Sequence, residues 1–277
     1  MKNFVKLVNF EMNRFAKVYF TLMLMTAVLQ FTAIFLEVYG YVKRANELMF
    51  HESLSKLEYV KEYGTISLVK CFQTMWFMGP IALCAAAILF YIFLIWYRDW
   101  FGKHTFIYRL LMLPTERLNV FLAKAASILI MVLGFVALQV ILLPVERLFF
   151  NSITPSVYRL DMTVVEAVQN FDYLQLLLPN SAIDFLLYYG LGISAVLVVF
   201  TAILFERSFR IKGIVLGVLY CILALAVFLA PILISEWLIP GYLYPVELLW
   251  AEIIVDIVIA ACSILLGGYL IKNKITV

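Results

Sequence analysis

The residues that could do chemistry fall into two groups, set in a chain of 277 residues that is 65% hydrophobic and only 14% charged. The first is the stretch from Arg98 to Lys124, RDWFGKHTFIYRLLMLPTERLNVFLAK, with Arg98, Lys103, Arg109, Arg117 and Lys124 against only Asp99 and Glu116. Trp100, Phe101, Phe106, Ile107, Leu110, Leu111 and Leu113 are interleaved with these charges, so it is not a solvated linker. It reads as one or two short amphipathic helices at a membrane surface, stopped by Pro114 because proline cannot continue a hydrogen-bonded helix. Its chemistry is recognition: a cationic, partly apolar ledge that a partner can grip. The second group is Glu252 and Asp256, four residues apart on one face of an otherwise apolar helix. A carboxylate inside hydrocarbon costs a few kcal/mol unless it faces water or a partner, of order the ~2.5–3.5 kcal/mol of insertion scales. Asp256 therefore either lines a polar pathway and titrates, or is bonded to a neighbouring helix or reached by a locally thinned bilayer.

Other chemistry has no residues to carry it. Gly102-Lys103 lacks the upstream glycine of a phosphate-binding loop. Gly190-Leu191-Gly192 with Ala195 mimics a dinucleotide fingerprint, but no strand precedes it, and helix packing is the expected role of these glycines. There is no His-Glu-x-x-His and no Gly-x-Ser-x-Gly. The histidines, His51 and His104, are expected on opposite sides of the membrane, which leaves no histidine site for metal or haem. Cys71, Cys84, Cys221 and Cys262 lie in or beside apolar runs without a Cys-x-x-Cys pair and read as small buried hydrophobes. The expectation is a chain that is not itself an enzyme, holds no cofactor or metal, and does not bind nucleic acid.

These groups must be positioned by helices in lipid, where backbone polar groups have no partner outside the chain. A span takes about 20 apolar residues to cross roughly 30 Å of hydrocarbon. Six stretches qualify: 18–36, 71–97 (with Pro80 as an expected kink), 125–145, 185–205, 214–235 and 251–271. Ahead of them, Phe4, Leu7, Val8, Met12 and Phe15 recur at helical spacing among Lys2, Lys6, Asn9, Asn13 and Arg14. Residues 1–17 thus read as an amphipathic interfacial helix, or as a helical lead-in to the first span. Residues 18–277 read as one transmembrane domain. With the N-terminus inside, 14 of the 21 Lys and Arg fall on the cytoplasmic side, which gives cytoplasmic N- and C-termini. Lys124, directly before an uncharged span, is expected to snorkel to that surface, and Glu37 sits at an outer helix end. Residues 38–70 suggest a small helical cap on the outer side, 146–184 an acidic connection, and 236–250 a re-entrant or interfacial turn. Gly213 and Gly217 could let a neighbouring helix approach closely.

The order of parts resembles the permease subunits of type-2 ABC transporters across the whole chain. Those have an amphipathic elbow helix, six spans, a cytoplasmic coupling helix between spans two and three, and re-entrant helices between spans five and six. Locally the resemblance rests on Asp99, Gly102, Leu110 with Leu111, Leu113-Pro114-Thr115-Glu116-Arg117 and Lys124, with Lys103 and His104 intervening before Thr105. It implies an all-α polytopic membrane protein in a cell membrane, of the compact bacterial form. It further implies contact with a cytoplasmic ABC ATPase subunit through Asp99, Phe101, Gly102, Lys103, Arg109, Leu110, Leu113, Pro114 and Arg117. ATP and Mg would be held by two copies of that partner, and a second permease chain, identical or related, would complete the pathway in lipid. The cargo implied is hydrophobic or amphipathic and exported. Two other readings stay open from the residues alone: a secondary transporter using Asp256 for proton coupling, and a non-transporting membrane scaffold.

Overall fold

The computed structural model describes residues 2–100, 106–112, 116–238 and 244–275. The described residues are almost wholly helical: α1 (Lys2–Glu52), α2 (Lys56–Tyr63), α3 (Leu68–Phe72), α4 (Met75–Trp100), α5 (Phe106–Leu111), α6 (Arg117–Ile153), α7 (Val164–Gln169), α8 (Asp172–Leu177), α9 (Ala182–Phe209), α10 (Ile211–Leu233) and α11 (Pro245–Asn273). A π-helical turn, Ile234–Leu238, follows α10. Six of the helices, α1, α4, α6, α9, α10 and α11, are long and apolar enough to cross a membrane. The chain is a polytopic all-α membrane protein.

The helices outrun the expected spans. α1 has 51 residues, about 76 Å at ~1.5 Å per residue, more than twice the ~30 Å of hydrocarbon. No proline or glycine stands near residue 17, so residues 2–17 run on as the first turns of α1 and form no element of their own. At its other end α1 continues through the segment expected to be a cap. Val38 and Ala45 are buried, with Tyr41, Val42, Leu48 and Met49 packed beside them, while Lys43 and Glu47 face out. Ser53, at φ +54°, ends the run in the left-handed region. The second span starts at Met75; Cys71 and Phe72 belong to the short α3. α6 continues past Pro144 to Ile153.

Two compact units divide the chain: residues 15–87 with 131–181, and residues 1–14 with 88–130 and 182–277. In the first, Ala33, Ile34, Phe72, Phe77, Phe150 and Leu174 are among the buried core. The connections between α1 and α4 and between α6 and α9 build that core together. Ile66 N–H donates to Tyr158 O at 2.8 Å and Leu160 N–H to Ile66 O at 3.0 Å, an isolated parallel bridge. Beside it the rings of Tyr41, Tyr59 and Tyr158 meet edge to face. α2 and α7 each open with a reciprocal cap: Ser55 N–H donates to Glu58 Oε2 at 2.8 Å and Thr163 N–H to Glu166 Oε2 at 2.7 Å. These backbone bonds to the charged form hold both carboxyls below their usual range. Within the apolar spans of this unit Gln30 and Gln139 exchange amide hydrogen bonds at 3.2 and 3.3 Å. Thr26 Oγ1 lies 3.2 Å from Cys84 Sγ. These buried polar groups are paired with one another, as lipid requires.

In the second unit α9, α10 and α11 pack as a trio. Thr201 donates to Ser263 O and Ser194 to Asp256, both pairs 62 residues apart, so α9 and α11 run in the same direction. Arg210 alone joins α9 to α10, at φ +53°. The close approach behind this turn rests on Gly213 and Gly217: a Cβ on Gly213 would overlap the Phe205 carbonyl, and one on Gly217 would come 2.8 Å from Ala202 O. Gly190 and Gly192, expected to serve helix packing, have nothing within 4 Å of where a Cβ would stand. They are not approach points.

Candidate functional site

Glu11 and Arg14 lie three residues apart on one face of α1, which also buries Leu7 and Val8. Arg98 and Asp99 close the last turn of α4, and Lys124 stands two turns inside α6. These five side chains, all in the second unit, form one cluster. Lys124 Nζ donates to Glu11 Oε1 at 2.6 Å, to Asp99 Oδ2 at 2.5 Å and to Ile95 O at 2.9 Å, which uses all three of its protons. Arg14 Nη1 donates to Asp99 Oδ1 at 2.6 Å, and Arg98 Nη2 to Glu11 Oε2 at 3.1 Å. Both oxygens of both carboxylates are therefore held by cations. Trp96 lies beneath Lys124, its ring centre 5.2 Å from Nζ, and Tyr91 beneath Arg98 at 5.7 Å.

Lys124 and Asp99 have no exposed surface and Glu11 has 2%. The expectation that Lys124 snorkels to the surface is thus overturned. With α6 beginning at Arg117, its side chain starts about 10 Å inside the helix, and acceptors on α1 and α4 take it inward instead. Burying ions costs several kcal/mol each and is recovered only where geometry and hydrogen bonds are complete. With Lys124 and both carboxylates fully bonded, the cluster is a clamp on the ends of α1, α4 and α6.

The neighbouring ends are tied to the same place. Tyr97 of α4 donates a short hydrogen bond to Glu206 of α9. Arg207 stacks over the rings of Tyr97 and Trp100, at 4.8 and 5.5 Å. Arg117, expected to meet a partner, caps α11 within the chain. Its Nη1 reaches Ile271 O at 3.1 Å and Ile275 O at 3.2 Å, satisfying carbonyls that the helix end leaves unpaired.

Of the other residues expected to meet a partner, Asp99 lies at the centre of the cluster. Leu110 is buried on α5 together with Ile107 and Leu111, so its side chain is packed within the chain. Arg109 is on α5. Phe101, Gly102, Lys103, Leu113 and Pro114 lie outside the described residues. Met112, just after α5, is 71% exposed. Glu11, Arg14 and Tyr91 were not foreseen as members of a site. The signal was Glu11 itself: a carboxylate on the apolar stripe of a helix needs a cation from elsewhere.

Asp256 belongs to a separate feature. α11 begins at Pro245 rather than 251, so its 29 residues place Asp256 three residues, about 4.5 Å, from the helix centre. That is deeper than the sequence suggested. Its carboxylate accepts from Ser194 Oγ at 2.8 Å and borders a cavity of about 470 Å³ between α9, α10 and α11. Val198, Cys221, Leu225, Phe228 and Ile259 supply much of the rest of the wall. Glu252, one turn earlier, does not line it. The geometry thus offers a clamped junction of helix ends and, apart from it, a half-buried carboxylate on a half-open apolar pocket. No protein-family model, curated protein or solved structure matches the chain, which stands here as a six-span all-α membrane protein.

Proposed function

We propose that the chain is the membrane-spanning permease subunit of an ATP-driven transporter of the type-2 ABC kind. It would export a hydrophobic or amphipathic cargo and draw on ATP hydrolysed by a separate soluble subunit. The observation that carries this reading is the ion cluster at the base of the α4–α6 connection. Asp99 and Lys124 lock the two helices together on either side of the segment that contains α5. A partner pressing on that segment therefore moves α4 and α6 together, with α1 attached through Glu11 and Arg14. A loosely tethered loop would absorb the same push. Transport further requires that the ATP-bound partner bind one helix arrangement better than another, since only differential affinity shifts such an equilibrium. The Lys and Arg excess on the N-terminal side supports a cytoplasmic junction in the same reading.

The test is to purify the chain from its native membrane in mild detergent. A stoichiometric soluble ATPase should come with it, and Arg109→Ala or Met112→Glu should uncouple its hydrolysis from transport without preventing insertion. A chain that purifies without an ATPase, and moves cargo in sealed vesicles under an ion gradient alone, defeats the proposal. That outcome favours the reading in which Asp256 couples transport to protons, for which its place on the cavity wall speaks.

A further inference from the structure

We infer that the cavity between α9, α10 and α11 is a binding site for an amphipathic organic cation, an ammonium or phosphonium carried on apolar groups. Asp256 would be its counter-ion. The inference deepens the transport reading by naming a cargo class and rests on it for biological meaning, though the binding itself needs no ATP.

Three observations lead there. The first is size. About 470 Å³ lies within the range of small-molecule pockets, well above what one water or one metal ion fills. The second is composition. Apart from Ser194 and Asp256 the wall consists of aliphatic residues with Gly192, Cys221 and Phe228, a surface that accepts apolar bulk and holds no second polar group to orient a polyol or an amide ligand. The third is an incomplete ion pair. Asp256 Oδ2 accepts from Ser194, and among the described residues no Lys, Arg or His forms an ion pair with the carboxylate. The contrast with Glu11 and Asp99 is direct, since this chain supplies cations to its other deeply placed carboxylates in the same unit. At Asp256 a ligand would supply the charge, with the Phe228 ring available to a cation's face.

Depth separates a cargo from a membrane lipid. Asp256 lies eleven residues, about 16 Å along the axis, from the start of α11, whereas the ammonium of a bilayer lipid sits at the interface, outside the ~30 Å hydrocarbon layer. A free cation with an apolar body reaches this depth; a lipid headgroup in place does not. Small alkali cations are also poorly served, for they take several oxygen ligands and this wall offers two oxygen-bearing side chains.

The experiment uses the full chain purified in detergent and tetraphenylphosphonium as the probe. Tetraphenylborate, of the same shape and opposite charge, and neutral tetraphenylmethane are the comparisons. Equilibrium binding is expected for the phosphonium, with the other two weaker by about tenfold or more, the worth of ~1.4 kcal/mol. Asp256→Asn keeps an acceptor for Ser194 and should remove that preference. Ala224→Phe, which fills the cavity and leaves the carboxylate, should abolish binding of all three above the detergent background. Equal binding of the three probes, a preference that survives Asp256→Asn, or competition by sodium chloride no different from choline chloride at equal ionic strength together with no effect of Ala224→Phe, overturns the inference. Failure of the ATPase to co-purify bears only on the power source and leaves these outcomes as they are.

Discussion

Lys124 Nζ meets Asp99 Oδ2 at 2.5 Å with neither side chain exposed, across 25 residues of sequence that include α5. The cluster around this contact has three cations, Arg14, Arg98 and Lys124, for two carboxylates, Glu11 and Asp99. That imbalance decides which loss hurts most.

Removing Lys124 as Lys124→Met leaves two arginines on two carboxylates, a balanced set. Asp99→Asn leaves three cations on Glu11 alone. Breaking a buried pair on one side costs about 3–5 kcal/mol, and Asp99→Asn should fall in that range while Lys124→Met costs less. The double variant Asp99→Asn/Lys124→Met should be more stable than Asp99→Asn alone. Thermal unfolding in detergent reads all three; simple addition of the two single losses in the double would mean that the contact carries no coupling.

Gly217 and Gly190 test a second distinction. A Cβ at Gly217 meets the Ala202 backbone, which cannot swing aside, whereas Gly190 has open space around it. Gly217→Val should cost about 1–3 kcal/mol through overpacking. Gly190→Ala should be neutral or stabilising by up to about 1 kcal/mol, since alanine is the better helix former. The pair is read by the same unfolding assay, and equal effects at the two positions would refute the close approach of α9 and α10.

The six spans were legible because an apolar run of span length has one solution in lipid, and each expected span falls within or across one long helix. Helix ends were less so. The pattern Val38, Tyr41, Val42, Ala45, Leu48, Met49 is a helical stripe, but charges at Lys43, Arg44 and Glu47 made the segment read as a separate helical cap rather than as the continuation of α1. Charge marked the end of hydrocarbon there, not the end of the helix. The ion cluster was hidden for a different reason. Glu11, Arg98 with Asp99, and Lys124 are far apart in sequence, and each alone resembles a surface charge. Only the fold shows that they close on one another. Asp256 was legible as an oddity, but its cavity depends on residues of three helices and was not.

The reciprocal caps give a pH prediction. Glu58 and Glu166 have folded-state values below the ordinary 4.5, caused first by the backbone N–H bonds from Ser55 and Thr163. A depressed carboxyl contributes stability that is present above its unfolded value and lost as pH falls through the folded one. Amide protection in α2 and α7, taken relative to the intrinsic exchange rate at each pH, should therefore hold above about pH 4.5 and fall below it. Glu58→Gln keeps a cap with an amide, so α2 should then lose this acid dependence while α7 retains it. Hydrogen exchange by mass spectrometry resolves the two segments, and an unchanged acid response of α2 in Glu58→Gln would sink the assignment.

Glu146 is the opposite case to Asp99. It sits on α6 between Leu143 and Phe150, both in the buried core of its unit, and is itself 0% exposed. Among the described residues neither of its carboxylate oxygens has a hydrogen-bond partner. A buried polar group without a partner costs about 1–3 kcal/mol by protein mutational data. Glu146→Leu replaces it with an apolar group of similar volume and should raise stability by roughly that amount, a gain that most substitutions of a buried residue do not give. Glu146→Ala, which removes the carboxylate but leaves a void between Leu143 and Phe150, should recover less. If Glu146→Leu lowers the unfolding temperature, the carboxylate is held in the folded protein by a water or an ion, and stability measured against added divalent cation separates those two.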